Sequence, residues 1–130
     1  MDEFWQKHSI KFLEMAFDHK RHEKIFRPDG HGKNKGSCGD TVEIFLTGYR
    51  NTIQHVSLII DGCINTNACA NTVAQFVEGK TVEEAWDITP EQVIDYLETL
   101  PEGSAHCAEL AVGALFLALS DYKKNKQWQA

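Results

Sequence analysis

The sequence has no C-x-x-C pair, no apolar run long enough to cross a bilayer, no internal repeat and no low-complexity tract. Without a C-x-x-C pair there is no zinc-finger knuckle to anchor a metal by sequence spacing alone. The most apolar stretch, Leu110 to Leu119, falls well short of the roughly 18 residues a membrane span needs. It reads as a buried helix, and no membrane partner is expected. Positive charge is also scarce. The 13 Lys and Arg against 19 Asp and Glu leave a formal net charge of -6, which argues against a general binder of nucleic acid or anionic lipid, because both need clustered cations. The basic residues that do gather, Lys20, Arg21, Lys24, Arg27, Lys33 and Lys35, read as a solvated loop. No secretory signal opens the chain, since Met1-Asp2-Glu3 is acidic, and a cytoplasmic protein is expected.

What is present fits one compact domain over residues 1–130, with 42% hydrophobic residues to build a core without disulfides. From Phe4 to about His19 the residues Phe4, Trp5, Phe12, Leu13, Ala16 and Phe17 recur at helical spacing. The stretch from Arg27 to Gly36 is rich in glycine and charge, and reads as a loop or irregular strand. Val42, Ile44 and Leu46, then Val56, Leu58 and Ile60, alternate with their neighbours on either side of Gly48-Tyr-Arg-Asn51, which predicts a β-hairpin. The remainder reads helical. Cys69, Val73, Phe76 and Val77 mark a helix that ends at Gly79. Thr81-x-x-Glu84 and Thr89-Pro90-Glu91-Gln92 have the capping-box pattern. A final helix runs from Ala108 to Tyr122, with Ser104 as its N-cap. The fold class expected is α+β: a small antiparallel sheet of about three strands packed against several helices, the last one long.

In a reducing compartment, four cysteines are more often free thiols or metal ligands than disulfides. Any one of them alone reads equally well as core filler, since cysteine is among the most buried residue types. Placement separates three from that reading: Cys38, Cys63 and Cys107 sit at element ends, in Gly36-Ser-Cys-Gly-Asp40, Asp61-Gly-Cys63 and Ala105-His-Cys107. If the hairpin strands pair antiparallel, Cys38, before the first strand, and Cys63, after the second, fall at one edge of the sheet. If Ser104 caps the last helix, Cys107 lies in its first turn, where the positive dipole end should ease ionisation of its thiol. Cys69 is either a fourth thiol near the site or, if it faces the core with Val73, packing.

Ser37-Cys38-Gly39-Asp40, Asp61-Gly62-Cys63, Glu78-Gly79-Lys80-Thr81-Val82-Glu83-Glu84-Ala85 and His106-Cys107-x-x-Leu110-Ala111 resemble, in order and spacing, the NifU/IscU-type iron-sulfur cluster assembly scaffold. The resemblance runs from about the first helix to Tyr122. It implies that Cys38, Cys63 and Cys107 hold a nascent 2Fe-2S cluster, or Zn2+ in the isolated protein. It places Asp40 and His106 at the family's aspartate and histidine positions beside the metal. It also implies a cysteine desulfurase that delivers sulfur as a persulfide, with Cys107 as acceptor, and apo-protein recipients for the finished cluster. A carrier of this kind is not an enzyme acting on a small molecule. Three soft thiolates with a harder carboxylate or an exchangeable imidazole at the fourth corner suit a temporary host.

Two departures from the family pattern matter. Leu100-Pro-Glu-Gly-Ser104 stands where many members have Leu-Pro-Pro-Val-Lys, which puts recognition by the dedicated Hsp70-type chaperone in doubt. Gly62-Cys63-Ile64 replaces the usual Gly-Cys-Gly. Two alternatives stay open: a zinc-containing SufU-like sulfur acceptor, and a domain with a permanent structural zinc. His106 and the short passage from Pro90 to Ala105 favour the cluster scaffold over the SufU type. A homodimer sharing one cluster is left open by the sequence.

Overall fold

The computed structural model describes residues 7–129. Its first element, α1 (Ile10–Ala16), starts where the Ser9 hydroxyl accepts from Phe12 N at 3.0 Å. The same hydroxyl donates to Leu97 O at 2.7 Å, so one serine both caps the helix and pins it to a distant segment. The helix is shorter than its apolar spacing predicts: it ends at Phe17, which is exposed. Phe4 and Trp5 lie outside the described residues. Phe12, Met15 and Ala16 are buried.

Three strands, β1 (Gly30–Lys35), β2 (Thr41–Tyr49) and β3 (Thr52–Asp61), form an antiparallel sheet in the order β1-β2-β3. The hairpin turn is Arg50-Asn51, both at positive φ (51° and 66°), the backbone that matches strand twist in a two-residue hairpin. Thr41 pairs with Asp61 and, on the other side, with Lys35, so the start of β2 and the ends of β1 and β3 share one edge. The glycine-rich segment is a true strand. A Cβ on Gly30 would lie 2.6 Å from Ala118 O, and one on Gly32 the same distance from Ala114 O. The glycines therefore mark the close passage of a helix.

That helix is α5 (Ala105–Gln129). By length and apolar content it could cross a membrane, but Ala108, Ala111, Ala114, Leu115, Ala118 and Leu119 are fully buried in the protein core. Between sheet and α5 the chain forms α2 (Ile64–Val77), α3 (Val82–Ala85) and α4 (Pro90–Leu97). Both predicted capping boxes are formed, and Pro90 opens α4. α2 is buried on nearly every side, from Thr66 through Val77, and its small residues let α1, α4 and α5 approach. It ends at Glu78, with Gly79 at φ 87° beyond it. The buried face of the sheet (Val42, Ile44, Leu46, Val56, Leu58) and the helices make one continuous core.

Two expectations are corrected. Ser104 is not a helix cap: it closes a 3-10 turn, Glu102–Ser104, that runs directly into α5. Its hydroxyl instead accepts from Asn65 Nδ2 at 2.9 Å. Arg21 is not a solvated cation. It is 7% exposed, pairs with Glu78 at 2.7 Å, and its carbonyl accepts from Leu58 N along the outer edge of β3.

Candidate functional site

Three chain segments meet at the shared edge of the sheet. The first is the tight turn between β1 and β2, closed by Gly39 N donating to Gly36 O and Gly36 N to Asp40 O. Gly39 takes φ 93°, a conformation that suits glycine, and Cys38 stands exposed at the tip. The second segment is the start of α2. Cys63 occupies the N-cap position, with its side chain free of any capping bond and exposed. The third is the start of α5, with His106 and Cys107. Asn65 to Ser104 ties the second segment to the third, and Asn34 Nδ2 to Leu110 O ties β1 to α5.

Asp40 joins these pieces. Its Oδ2 accepts from Cys63 N at 3.2 Å and from Thr66 Oγ1 at 2.7 Å. The Thr66 hydrogen bond does most to hold the Asp40 carboxyl below the ordinary carboxylate range. Burial works against it, and bonds from the Cys63 amide and from the Cys63 and Cys38 thiols, each a smaller effect than burial, add to the lowering. Gly62 is required here, since a Cβ on it would stand 2.6 Å from Asp40 Oδ2. Thr66 Oγ1 also lies 3.4 Å from Cys107 Sγ and 3.7 Å from Cys63 Sγ.

Thus Cys38, Asp40, Cys63 and Cys107 are neighbours, and of these the approach of Cys38 to Cys63 is what antiparallel pairing of the hairpin predicts. They are gathered but not closed: among the described residues no three His, Cys, Asp or Glu side chains form a ready-made metal cage. His106 is exposed, with Nδ1 3.1 Å from Gly103 O and Nε2 3.6 Å from Cys107 Sγ. A carbonyl only accepts, so Nδ1 carries a proton, and in the neutral ring Nε2 is then the nitrogen with a lone pair toward the sulfur.

Cys107 differs from the expectation of an easily ionised thiol. It is 1% exposed, and burial pushes its pKa up, the Thr66 hydrogen bond only partly opposing that. Desolvation outweighs the helix end. Cys69 is fully buried in the core with Val73, and burial raises its thiol far more strongly, so it sits on the packing side of the helix. Of the other histidines, His31 bonds Glu43 and stacks on Phe45, while His55 lies between Glu23 and Glu78. None of these is at the cysteine edge. Thr66 is the site residue that sequence inspection misses. Its signal was position: three residues after Cys63 at a helix start, it returns to the same end of the helix.

A family model described as the NifU-like N terminal domain matches residues 14–129. The "Iron-sulfur cluster assembly scaffold protein IscU 1" of Archaeoglobus fulgidus is 33% identical over 120 residues, covering 88% of this chain and 78% of that protein. The IscU scaffold of Escherichia coli K12 is 27% identical over 127 residues, covering 91% and 98%. In fold, the chain is similar to a putative scaffold for the SUF system from Fervidobacterium islandicum, at a TM-score of 0.73 and 21% identity, covering 88% of this chain and 97% of that one. A NifU-like N-terminal protein from Brucella abortus superposes with the same TM-score at 18% identity, covering 89% and 94%. With a model match over most of its length and a relative at 33% identity, the chain belongs to the NifU-like N-terminal domain family.

Proposed function

We propose that this chain, residues 1–130 acting as one domain, is a scaffold on which a 2Fe-2S cluster is assembled and from which it passes to apo-proteins in the cytoplasm. Cys38, Cys63 and Cys107 are its thiolate ligands, with Asp40 or His106 completing the metal set. The observation that carries this reading is the bridge through Thr66, which puts the Asp40 carboxylate in one hydrogen-bonded group with the sulfurs of Cys63 and Cys107. Two of the three thiols are exposed, which suits cargo that must leave. A permanent structural zinc would call for four closed ligands.

In sulfur delivery, the Cys107 thiolate attacks the outer sulfur of a persulfide on a cysteine desulfurase. A new S–S bond forms at Cys107, and the desulfurase thiolate leaves. A pair of electrons from a separate donor then reduces each such sulfur to sulfide. Because Cys107 is buried in the resting protein, loading requires the Cys38 turn and the start of α2 to part. Iron is substrate here, and Zn2+ binds the same thiolates in the isolated protein. Two chains sharing one cluster is compatible with the exposed edge.

Anaerobic reconstitution with iron, sulfide and reductant, followed by visible absorption and Mössbauer spectroscopy, tests the proposal. A labile 2Fe-2S spectrum that decays on adding an apo-ferredoxin is expected. No cluster, together with tight stoichiometric zinc, would replace it with the SufU-like sulfur acceptor.

A further inference from the structure

Thr66 carries no ligand role above, yet every polar contact of its side chain is to a candidate ligand. It is fully buried, and a buried hydroxyl needs partners. Those partners are Asp40 Oδ2 at 2.7 Å, Cys107 Sγ at 3.4 Å and Cys63 Sγ at 3.7 Å. A hydroxyl has a single proton to donate. That proton is drawn both to Asp40 Oδ2 and to Cys107 Sγ, and the shorter bond to the carboxylate is the stronger claim.

Metal binding changes the claimants. A coordinated sulfur has lost its proton and only accepts, so a sulfur bearing cargo competes with Asp40 for the Thr66 proton. Besides the Cys63 and Cys38 thiols, whose protons go when they bind metal, the restraints on Asp40 are two of backbone: the Cys63 amide at 3.2 Å, and the space left at Gly62. Neither can turn away. The Thr66 hydroxyl can, by rotation about one bond.

We infer that Thr66 is a positioning residue that holds Asp40 back from the metal: its hydroxyl competes with the cargo for the carboxylate and keeps Asp40 an exchangeable ligand. This inference rests on the scaffold reading above. A valine would fill the same buried space without the competition, so the hydroxyl has a consequence that packing does not require.

The experiment uses the full chain loaded with Cd2+, read by the sulfur-to-metal charge-transfer band, with release into excess chelator followed by stopped flow. Thr66→Val keeps the branched shape and removes the donor, so Asp40 binds the metal without a competitor. Release should slow by about tenfold, the scale of one hydrogen bond to a charged group. Thr66→Ala, which relieves any misfit of valine, should slow it likewise, and Thr66→Ser should restore the parent rate to within about twofold. In an Asp40→Ala background the Thr66→Val change should no longer slow release, since the carboxylate it frees is gone. An unchanged or faster release in both Thr66→Val and Thr66→Ala, or an equal effect with and without Asp40, overturns the role of Thr66 while leaving the scaffold intact. A parent protein that binds no Cd2+ through its thiols overturns both.

Discussion

Gly32 of β1 lies so close beneath α5 that a Cβ on it would stand 2.6 Å from Ala114 O. Backbone on both sides leaves nothing soft to yield. Gly32→Ala should therefore destabilise the protein by about 2 kcal/mol or more, the scale of overpacking in a filled core. Gly103→Ala, where a Cβ meets nothing within 4 Å, should stay within about 0.5 kcal/mol. Urea unfolding of the two variants beside the parent checks the contrast, and equal midpoints would show that α5 can lift off the sheet.

The same glycines explain what the sequence could and could not reveal. Local codes were legible: the alternation of β2 and β3, both capping boxes and the glycine after α2 all appear as expected. β1 was half hidden, because Gly30 and Gly32 look like loop residues until the helix crossing them is known. Ser104 had the right type for a cap, but its hydroxyl is held by Asn65, a partner 39 positions away. The meeting of Cys38 with Cys63 followed from antiparallel pairing alone. The raised pKa of Cys107, the core position of Cys69 and the bridge through Thr66 all depend on tertiary burial, which no local spacing encodes.

Arg21 and Glu78 hold the segment before β1 against the edge of β3. Burial alone would raise the Glu78 carboxyl, but hydrogen bonds from Arg21 and Val56 N and the charges of Arg21 and His55 hold it below its usual 4.5. A depressed carboxyl stabilises the fold above its unfolded value and loses that contribution as pH falls through the folded one. Arg21→Gln should cost about 2 kcal/mol at neutral pH, because it strands a half-buried carboxylate. The gap from the parent should shrink below about pH 4.5, where Glu78 protonates in both. Thermal unfolding across that range checks the sign, and a gap that widens on acidification would contradict it.

Gly62→Ala tests the cradle around Asp40. A Cβ would displace the carboxylate and with it the bonds from Thr66 and the Cys63 amide that lower its pKa. In an NMR titration of the metal-free protein, Asp40 should move up toward its ordinary value of 3.8. The far-ultraviolet spectrum should stay as in the parent. An Asp40 titration unchanged by the substitution would mean that Gly62 serves the backbone turn and not the carboxylate.

The four thiols should separate by reactivity. Cys38 and Cys63 are exposed, Cys107 is 1% exposed, and Cys69 is wholly enclosed. Small alkylating reagents attack the thiolate, and burial disfavours that form at Cys107 and much more at Cys69. Timed alkylation with peptide mass mapping should label Cys38 and Cys63 first and Cys107 later. Cys69 should be labelled only at the rate of global opening, about a thousandfold or more slower. A desulfurase should invert part of this order. If it opens the edge to reach Cys107, extra sulfur should accumulate on Cys107 in its presence although the free reagent favours the exposed pair. Persulfide confined to Cys38 or Cys63 would move the acceptor role to the exposed thiol. Sulfur on Cys69 would require α2 itself to shift, because that side chain is fully enclosed in the core, even though Cys63 and Cys107 lie near enough to add to the rise in its pKa.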